Sequence, residues 1–526
     1  MRPLAKTWEL RVEDQSVRHT FRLSYPVLVA TLVISAAAIG SFAADTGPAA
    51  RPNIVLLMAD QFRADCLGSD GNNAIRTPNL DGLAADGARF RCAYTSTPSC
   101  TPARSGLLTG LSPWHHGMLG MGRMAEHYER ELPALLHGAG YYAIGVGKMH
   151  YYPQRNLHGF DRTILDESGR IQTADFVSDY RCWFRSLAPT LDPDATGIGW
   201  NDYRAKTYAL PEELHPTRWT TDVAVRFVQN YSGASPFFLK VSFARPHSPY
   251  DPPERFMKMY VDTQVPAAHL GGWASGNDVP LDPPDYNRWR GDLGPEQVRQ
   301  SRRAYYGSVT FVDEQIGRIL AALRERKLLD NTLILFTADH GDMLGDHHLW
   351  RKTYAYESSV RIPMLIRWPV SMAAERGQVL AQPVELRDIL PTFLDAAGVA
   401  APADAFDGKS LLELVRGNAA GWRPFIDLEH SRCYKGTEHW NALTDGRTKY
   451  IFFSHSGKEQ LFDLQSDPGE LHDLAGDAGH RERLETWRAR LVRHLAERGP
   501  AFVRDGRLVS PRPDMLYGDR FPKKAG

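Results

Sequence analysis

Four runs made mostly of apolar residues mark the chain, and polar side chains follow each run directly. The runs span residues 53–58, 141–146, 237–243 and 332–337. Runs of this length without polar alternation are typical of parallel strands buried on both faces. Apolar residues at helical spacing lie between them, over 220–228 and 304–324. This alternation predicts an α/β fold with a large, mostly parallel central sheet sandwiched by helices.

The pattern changes after residue 386. A helix is predicted to start at Asp388 and to end near Gly398, and Ala and Pro make 400–403 resemble a linker. Short β-type runs follow at 440–444, 450–453 and 460–464. They predict a smaller C-terminal antiparallel β-sheet subdomain, which an amphipathic helix over 481–498 completes. We therefore expect a main domain over 50–400 and an α+β subdomain over 401–526.

The N-terminus has the form of an export signal. Arg11, Arg18 and Arg22 precede an apolar run over 25–42, and the small residues Ser41 and Ala43 fit a signal-peptidase site. We expect 1–43 to be a cleaved signal peptide and the protein to be periplasmic or extracellular. A retained membrane anchor is the alternative, since the run is near the lower length of a span. No other stretch is long enough to span a bilayer.

Composition narrows the function classes. Lys+Arg and Asp+Glu both number 62, so bulk charge favours neither a nucleic-acid nor a membrane-surface partner. The absence of a Cys-x-x-Cys pair argues against a structural zinc site. An odd cysteine count in an exported protein leaves one thiol unpaired, for which Cys100 is the candidate. The pairing of the others stays open: Cys66, Cys92, Cys182 and Cys433.

The segment around Cys100 predicts the start of a helix. Thr101 is a good N-cap and Pro102 suits the first helical position, which would place Cys100 just outside the helix. Unpaired backbone N–H groups and the positive end of the helix dipole favour an anion there. Arg104 would fall at the third helical position, whose side chain can fold back toward the cap. The alternative is a buried free cysteine beside a surface arginine.

A long segment over 262–300 is rich in Pro, Gly, Asp and Trp and has no clear periodicity. It predicts an excursion over the surface, either a lid or substrate loop or a decorative insertion. The pattern does not choose between these two.

The polar clusters at the strand ends predict a site, because ligands bind beyond the carboxyl ends of parallel strands. Oxygen and nitrogen ligands for a divalent cation come from Asp60, Gln61, Asp339 and His340. Cationic and proton-transfer groups come from Arg104, Lys148, His150, His247 and Lys352. Together they suit ester hydrolysis at sulfur or phosphorus. A metal would polarise the nucleophile, cations would hold the oxygens, and a histidine or lysine would protonate the leaving alcohol.

The segment Cys100-Thr101-Pro102-Ala103-Arg104, followed by Leu108-Thr109-Gly110, resembles the signature of the type I sulfatases, in the alkaline-phosphatase-like superfamily. Further motifs resemble that family in the same order, at 53–61, 147–150, 243–247, 339–352, 388–394 and 461–468. Shared order over most of the chain makes the resemblance specific.

The resemblance implies that Cys100 is oxidised to formylglycine (3-oxoalanine) by a formylglycine-generating or sulfatase-maturing enzyme, and that the aldehyde hydrate is the nucleophile. It places metal ligands at Asp60, Gln61, Asp339, His340 and modified Cys100, for Ca²⁺ or alternatively Mg²⁺ or Mn²⁺. Arg104 and Lys148 would stabilise the hydrate, and His150 would assist its deprotonation. His247 and Lys352 would bind sulfate oxygens and aid the leaving group.

The expected function is that of an exported sulfatase that hydrolyses O-sulfate esters of a sulfated carbohydrate or an aryl alcohol. Many members of the family have Asp where this chain has Gln61, and Asn where it has His340. The Gln/His pair resembles a branch that includes several sulfatases and the phosphonate monoester hydrolases. A phosphonate monoester or phosphodiester hydrolase is therefore the alternative, and a degenerate binder of sulfated glycans is a third. His347 and His348 are expected near the site, with His348 at its rim.

Overall fold

The computed structural model describes residues 51–281, 284–400, 404–432 and 434–522. The predicted signal peptide over 1–43, most of the predicted linker and Cys433 lie outside these ranges. Within them, no helix is long and apolar enough to cross a membrane. Arg51–Gly526 is one compact unit, so the boundary at residue 400 stays a prediction about the sequence.

The strands belong to one large sheet and three smaller ones. In chain order they are β1 (Asn53–Asp60), β2 (Ala88–Phe90), β3 (Ala93–Tyr94), β4 (Tyr142–Gly147), β5 (Arg162–Leu165), β6 (Phe237–Pro246), β7 (Thr332–Ala338), β8 (Met364–Arg367), β9 (Gln378–Leu380), β10 (Val384–Glu385), β11 (Ile426–His430), β12 (Trp440–Thr444), β13 (Thr448–Phe453), β14 (Glu459–Asp463), β15 (Val503–Arg504) and β16 (Arg507–Leu508).

The central sheet has eight strands in the order β5-β4-β6-β1-β7-β8-β2-β9. From β5 to β7 the neighbours are all parallel. β8 is antiparallel to β7 and β2, while β9 is parallel to β2. The four predicted strands are therefore β4, β6, β1 and β7, four adjacent strands of a mostly parallel sheet, as expected.

The helices cover both faces of this sheet. They are α1 (Pro78–Ala85), α2 (Cys100–Thr109), α3 (Pro113–His116), α4 (Leu132–Gly138), α5 (Asp179–Leu187), α6 (Pro216–Asn230), α7 (Glu254–Tyr260), α8 (Pro295–Glu325), α9 (Glu357–Val360), α10 (Ile389–Ala396), α11 (Leu411–Val415) and α12 (Arg481–Leu495). The helices predicted over 220–228 and 304–324 are confirmed within α6 and α8.

Two neighbouring residues of β6 show why both faces are covered. Phe237 packs edge-on against Phe227 of α6, whereas Phe238 packs against Phe393 of α10. Successive side chains of a strand point to opposite faces, so α6 and α10 lie on opposite sides of the sheet. Every position of β6 is therefore buried, which explains why most of its residues are apolar without period-2 alternation.

The predicted antiparallel sheet is confirmed as β11-β12-β13-β14, with each strand antiparallel to the next. The apolar side of α12 packs on it through Trp487 and Leu491, which are buried. The end of β11 lies beside the residues that precede α2, because the N–H of Glu429 donates to the carbonyl of Ser96 at 2.8 Å. The smaller sheet thus supports the segment that carries Cys100.

Candidate active site

Four parallel strands bring their carboxyl ends to one edge of the central sheet. Asp60 ends β1, and the N–H of His247, just after β6, donates to its carbonyl at 3.0 Å. The N–H of Gln61 donates to Oδ1 of Asp339, just after β7, at 3.0 Å. Lys148 follows β4 directly. Residues far apart in the chain therefore meet because their strands are adjacent and parallel.

Helix α2 begins two positions earlier than the sequence predicts. Its N-cap is Ser99 rather than Thr101, so Cys100 is the first helical residue and does not lie outside the helix. Pro102 is then the third helical residue, and Arg104 is the fifth rather than the third. The reason is that the first four N–H groups of a helix have no intrahelical acceptor, so proline is tolerated there. The Ser99 hydroxyl does not cap the helix but lies 2.9 Å from Nε2 of His430.

The Cys100 thiol is buried between cations and metal-type ligands. Its Sγ lies 3.3 Å from Nε2 of His340, 3.5 Å from Nζ of Lys352 and 3.9 Å from Nζ of Lys148. Burial and the Asp60 carboxylate oppose ionisation, but the two lysines outweigh them and lower the pKa of Cys100 to about 6. The site therefore stabilises negative charge at this position.

A candidate metal cluster surrounds this thiol. One ligand atom from each of Asp60, Cys100, Asp339 and His340 lies within 4.8 Å of the others, and all four residues are buried. Nδ1 of His340 donates to the carbonyl of Gly341 at 2.9 Å, which turns Nε2 toward the cluster. Two carboxylates and an imidazole fit a divalent cation, with Sγ of Cys100 standing for the oxygen of a modified side chain.

Gln61 lies at the edge of this cluster. Its Oε1 accepts from Nζ of Lys352 at 2.9 Å, and its Nε2 donates to the carboxylate of Asp342. Asp342 also accepts from the Tyr250 hydroxyl at 2.6 Å. Asp342 therefore fixes which end of the Gln61 amide faces the site, a role that the sequence did not reveal.

Arg104 and Lys148 are held by the cluster's carboxylates. Nε of Arg104 donates to Oδ2 of Asp339 at 3.0 Å, and its Nη2 lies 3.4 Å from Oδ2 of Asp60. Lys148 forms an ion pair with the same Asp60 oxygen. Both cations are buried, so they hold the carboxylates in fixed positions beside Cys100.

Lys352 is placed differently. Its Nζ contacts Gln61 Oε1 and lies 2.9 Å from Nε2 of His247, and no carboxylate oxygen of the described residues lies within 4.0 Å. Nδ1 of His247 donates to the Ser248 carbonyl at 2.8 Å, so Nε2 is an acceptor. Burial and Lys352 hold the pKa of His247 well below its usual value. The ammonium group of Lys352 is therefore available to an incoming anion.

His150 is not among the side chains that contact Sγ of Cys100. Its Nδ1 lies 2.9 Å from Nη1 of Arg170, and burial and Arg170 hold its pKa well below the usual value. Glu167 accepts from the backbone N–H groups of Met149 and His150 at 2.9 and 2.8 Å. The buried carboxylate of Glu167 thus holds the backbone of the segment after β4 in place.

Trp200 covers the site from an irregular loop. Its ring stacks on His247 with a centroid separation of 4.2 Å and an angle of 17°. Nζ of Lys148 and Cζ of Arg170 lie 5.1 and 4.9 Å from the ring centroid. No periodicity marks this loop, so a lone tryptophan among Gly and Asp was the one available signal.

The two histidines expected near the site lie in its surroundings. His347 packs on Trp273 with ring centroids 4.6 Å apart. Nδ1 of His348 lies 3.8 Å from Oδ1 of Asp292. Neither of these contacts is with the cluster around Cys100.

Comparison with known proteins agrees with this site. A family model described as Sulfatase matches residues 52–399, and one described as N-sulphoglucosamine sulphohydrolase, C-terminal, matches residues 345–497. An arylsulfatase of Clostridium perfringens is 38% identical over 88% of this chain and 98% of that protein. A choline-sulfatase of Rhizobium meliloti is 31% identical over 81% of this chain and 82% of that protein.

The fold also agrees with a solved structure. The phosphonate monoester hydrolase of Agrobacterium radiobacter is similar with a TM-score of 0.73 and 27% identity, over 88% of this chain and all of that chain. The chain belongs to the sulfatase family, within the alkaline-phosphatase-like fold. It is accordingly an enzyme, a sulfuric ester hydrolase.

Proposed function

We propose that this enzyme hydrolyses O-sulfate esters of a sulfated carbohydrate or an aryl alcohol, after Cys100 has been converted to formylglycine. The observation that carries the proposal is the position of Cys100 itself. It is the first residue of α2, and its Sγ is buried between two lysines beside a set of metal-type ligands. The similarity of this chain to the Clostridium perfringens arylsulfatase supports the same substrate class.

The ion in this proposal would be held by Asp60, Asp339, His340 and modified Cys100, with Gln61 at the edge. Carboxylate and amide oxygens favour Ca²⁺, while the imidazole leaves Mg²⁺ and Mn²⁺ as alternatives. When bound, the ion lowers the pKa of an oxygen nucleophile and neutralises charge on the sulfate. Arg104 and Lys148 would keep the carboxylates in place for it.

The remaining residues act on the substrate. Lys352 would donate hydrogen bonds to sulfate oxygens, since no carboxylate holds its ammonium. The same group can protonate the leaving alcohol, and His247 keeps it oriented through Nε2. His150, whose lowered pKa keeps its ring neutral, would accept a proton from the nucleophile. Trp200 would line the space above these groups and exclude water from them.

Export and maturation complete the proposal. The apolar run over 25–42 supports delivery to the periplasm or the medium, and the Cys100 signature supports modification by a formylglycine-generating or sulfatase-maturing enzyme. Sequencing the N-terminus of the mature protein from each cell fraction tests the first point. A start near residue 44 is expected, and a retained 1–43 segment in the membrane fraction would contradict it.

A phosphonate monoester or phosphodiester hydrolase is the second candidate. The fold similarity to the Agrobacterium radiobacter enzyme and the Gln61/His340 pair favour it. Parallel measurements of kcat/KM on 4-nitrophenyl sulfate, a phosphonate monoester and a phosphodiester separate the two. We expect the sulfate to be preferred, and a dominant phosphonate activity would replace the first proposal. Sulfated-glycan binding without turnover of any of these esters would instead support a degenerate binder.

A further inference from the structure

Three segments meet beside Lys352 and form a cluster of aromatic and basic side chains. The aromatic–basic cluster consists of Trp289, Arg290, Arg351, Tyr434 and Lys435. The rings of Trp289 and Tyr434 stack at 5.6 Å with an angle of 12°. Cζ of Arg290 and Nζ of Lys435 lie 4.8 and 5.2 Å from the Trp289 centroid. Cζ of Arg351 lies 5.6 Å from the Tyr434 centroid.

The cations of this cluster form no close ion pair, and their acidic neighbour is Glu438, whose pKa burial raises while Lys435 and Arg290 act to lower it. Within the described part of the chain, no carboxylate oxygen lies within 4.0 Å of Arg290, Arg351 or Lys435. By contrast, Arg288, two residues away from Arg290, lies 3.5 Å from Oδ2 of Asp285. The rings and the guanidinium groups are half-buried, and Lys435 is exposed. The cluster therefore presents three cations against one nearby carboxylate, that of Glu438, together with two half-buried aromatic rings.

Arg351 of the cluster directly precedes Lys352, the residue that we propose binds sulfate oxygens. Arg351 and Thr353 both have left-handed backbone conformations, with φ of 69° and 81°. The chain turns between them so that Lys352 reaches Sγ of Cys100, while Nε of Arg351 donates to the Tyr203 hydroxyl at 2.7 Å. Strained backbone at two positions around one functional residue is typical of a positioned site.

The insertion over 262–300 supplies one wall of the cluster. The N–H of Trp350 donates to the carbonyl of Trp289 at 3.0 Å, and the N–H of Gly291 donates to that of His348 at 2.8 Å. The Tyr354 hydroxyl donates to the same Trp289 carbonyl at 2.9 Å. These contacts tie the insertion to the segment that carries Lys352, which favours a substrate loop over a decorative insertion.

We propose that the aromatic–basic cluster binds the leaving-group side of the substrate, and that this substrate is a sulfated carbohydrate with a second anionic group next to the scissile sulfate. This rests on the proposed sulfatase function. Aromatic rings pack on the apolar faces of sugars, and guanidinium and ammonium groups bind sulfate or carboxylate.

The test compares substrates on the mature enzyme and on the double variant Arg290→Ala/Lys435→Ala. The substrates are a monosulfated disaccharide, its disulfated form and its sulfated uronic-acid form, the last two carrying a second anion as sulfate or carboxylate. We expect the wild type to prefer a second anion, and the variant to lose about ten- to a hundredfold of that preference, mostly in KM. The better of the two forms identifies the anion.

The matched control is Arg288→Ala, which removes a paired arginine from the same insertion and should leave the preference unchanged. A double variant that keeps the wild-type preference, or a wild type without one, would overturn the inference. Equal losses on all three substrates would also overturn it, because the cluster would then be structural. If the wild type cleaves no sulfate ester, including 4-nitrophenyl sulfate, the proposed function itself fails, which is a different result.

Discussion

Two buried lysines, one in the candidate site and one in the C-terminal sheet, show opposite ways of burying a positive charge. Lys449 of β13 lies with its Nζ 2.8 Å from Glu357 and 2.9 Å from Glu470. Lys352 has an amide oxygen, an imidazole and a thiol around its Nζ, and no carboxylate of the described residues. One charge is compensated within the fold, and the other is left for a ligand.

This difference distinguishes a buried lysine that stabilises the fold from one that binds a ligand. A buried cation with its partners in place contributes to the structure, and removing it leaves those partners uncompensated. A buried cation without a carboxylate costs stability in the free enzyme, which is reasonable only where an anion binds. Burial alone therefore does not mark the active site, where Arg104 and Lys148 are buried with carboxylate partners. Lys352 is distinguished by a buried ammonium beside Cys100 with no carboxylate oxygen of the described residues within 4.0 Å.

The strongest test of this comparison is Lys352→Met, which removes the charge but keeps most of the volume. We expect kcat/KM for 4-nitrophenyl sulfate to fall about 10²- to 10³-fold, because an oriented donor to the developing charge is lost. The free energy of unfolding should stay the same or rise. Steady-state kinetics and urea unfolding measure the two quantities. A stable variant with wild-type kinetics would contradict the role of Lys352.

The same substitution at Lys449 should reverse the outcome. Lys449→Met leaves the buried carboxylate of Glu470 and the partly buried one of Glu357 without their cation, so we expect a loss of about 3–5 kcal/mol in the free energy of unfolding. The kcat/KM of the folded fraction should change less than about twofold. An unchanged stability, or a loss of activity in fully folded protein, would show that the two lysines do not differ as described.

The pH dependence of that variant sharpens the comparison. Burial already raises the pKa of Glu470 to about 7. A carboxyl whose folded pKa is raised binds its proton more tightly when folded, so its contribution to stability falls as the pH rises from the unfolded pKa toward the folded value. The destabilisation by Lys449→Met should therefore be larger at about pH 8 than at about pH 6. Urea unfolding at both values checks this, and a larger loss at the lower pH would contradict it.

The smallest expected effect concerns the cover of the site. Trp200→Ala removes the ring that stacks on His247, and we expect about a tenfold rise in KM with a smaller change in kcat. Trp183→Ala is the control, since Trp183 packs on Tyr180 and Trp219 away from the site. Equal kinetics for the two variants would show that Trp200 only fills space.

The sequence predicted the central strands, because strands buried on both faces consist mostly of apolar residues. It also predicted most of the polar side chains at the carboxyl ends of these strands. It placed the start of α2 wrongly, since the position of Pro102 fits either the first or the third helical residue. Trp200 and the aromatic–basic cluster were missed because their partners come from irregular segments far apart in the chain. No local periodicity of the sequence indicates such contacts, because only the packing of the loops brings these side chains together.

Mass spectrometry of the peptide that contains Cys100, from enzyme that turns over 4-nitrophenyl sulfate, tests the central claim most directly. Conversion of cysteine to formylglycine replaces the thiol by an aldehyde and lowers the peptide mass by about 18 Da. We predict that active enzyme carries the lighter peptide, in a fraction that rises with specific activity across preparations. Full activity in protein whose Cys100 is entirely an unmodified thiol would contradict the account.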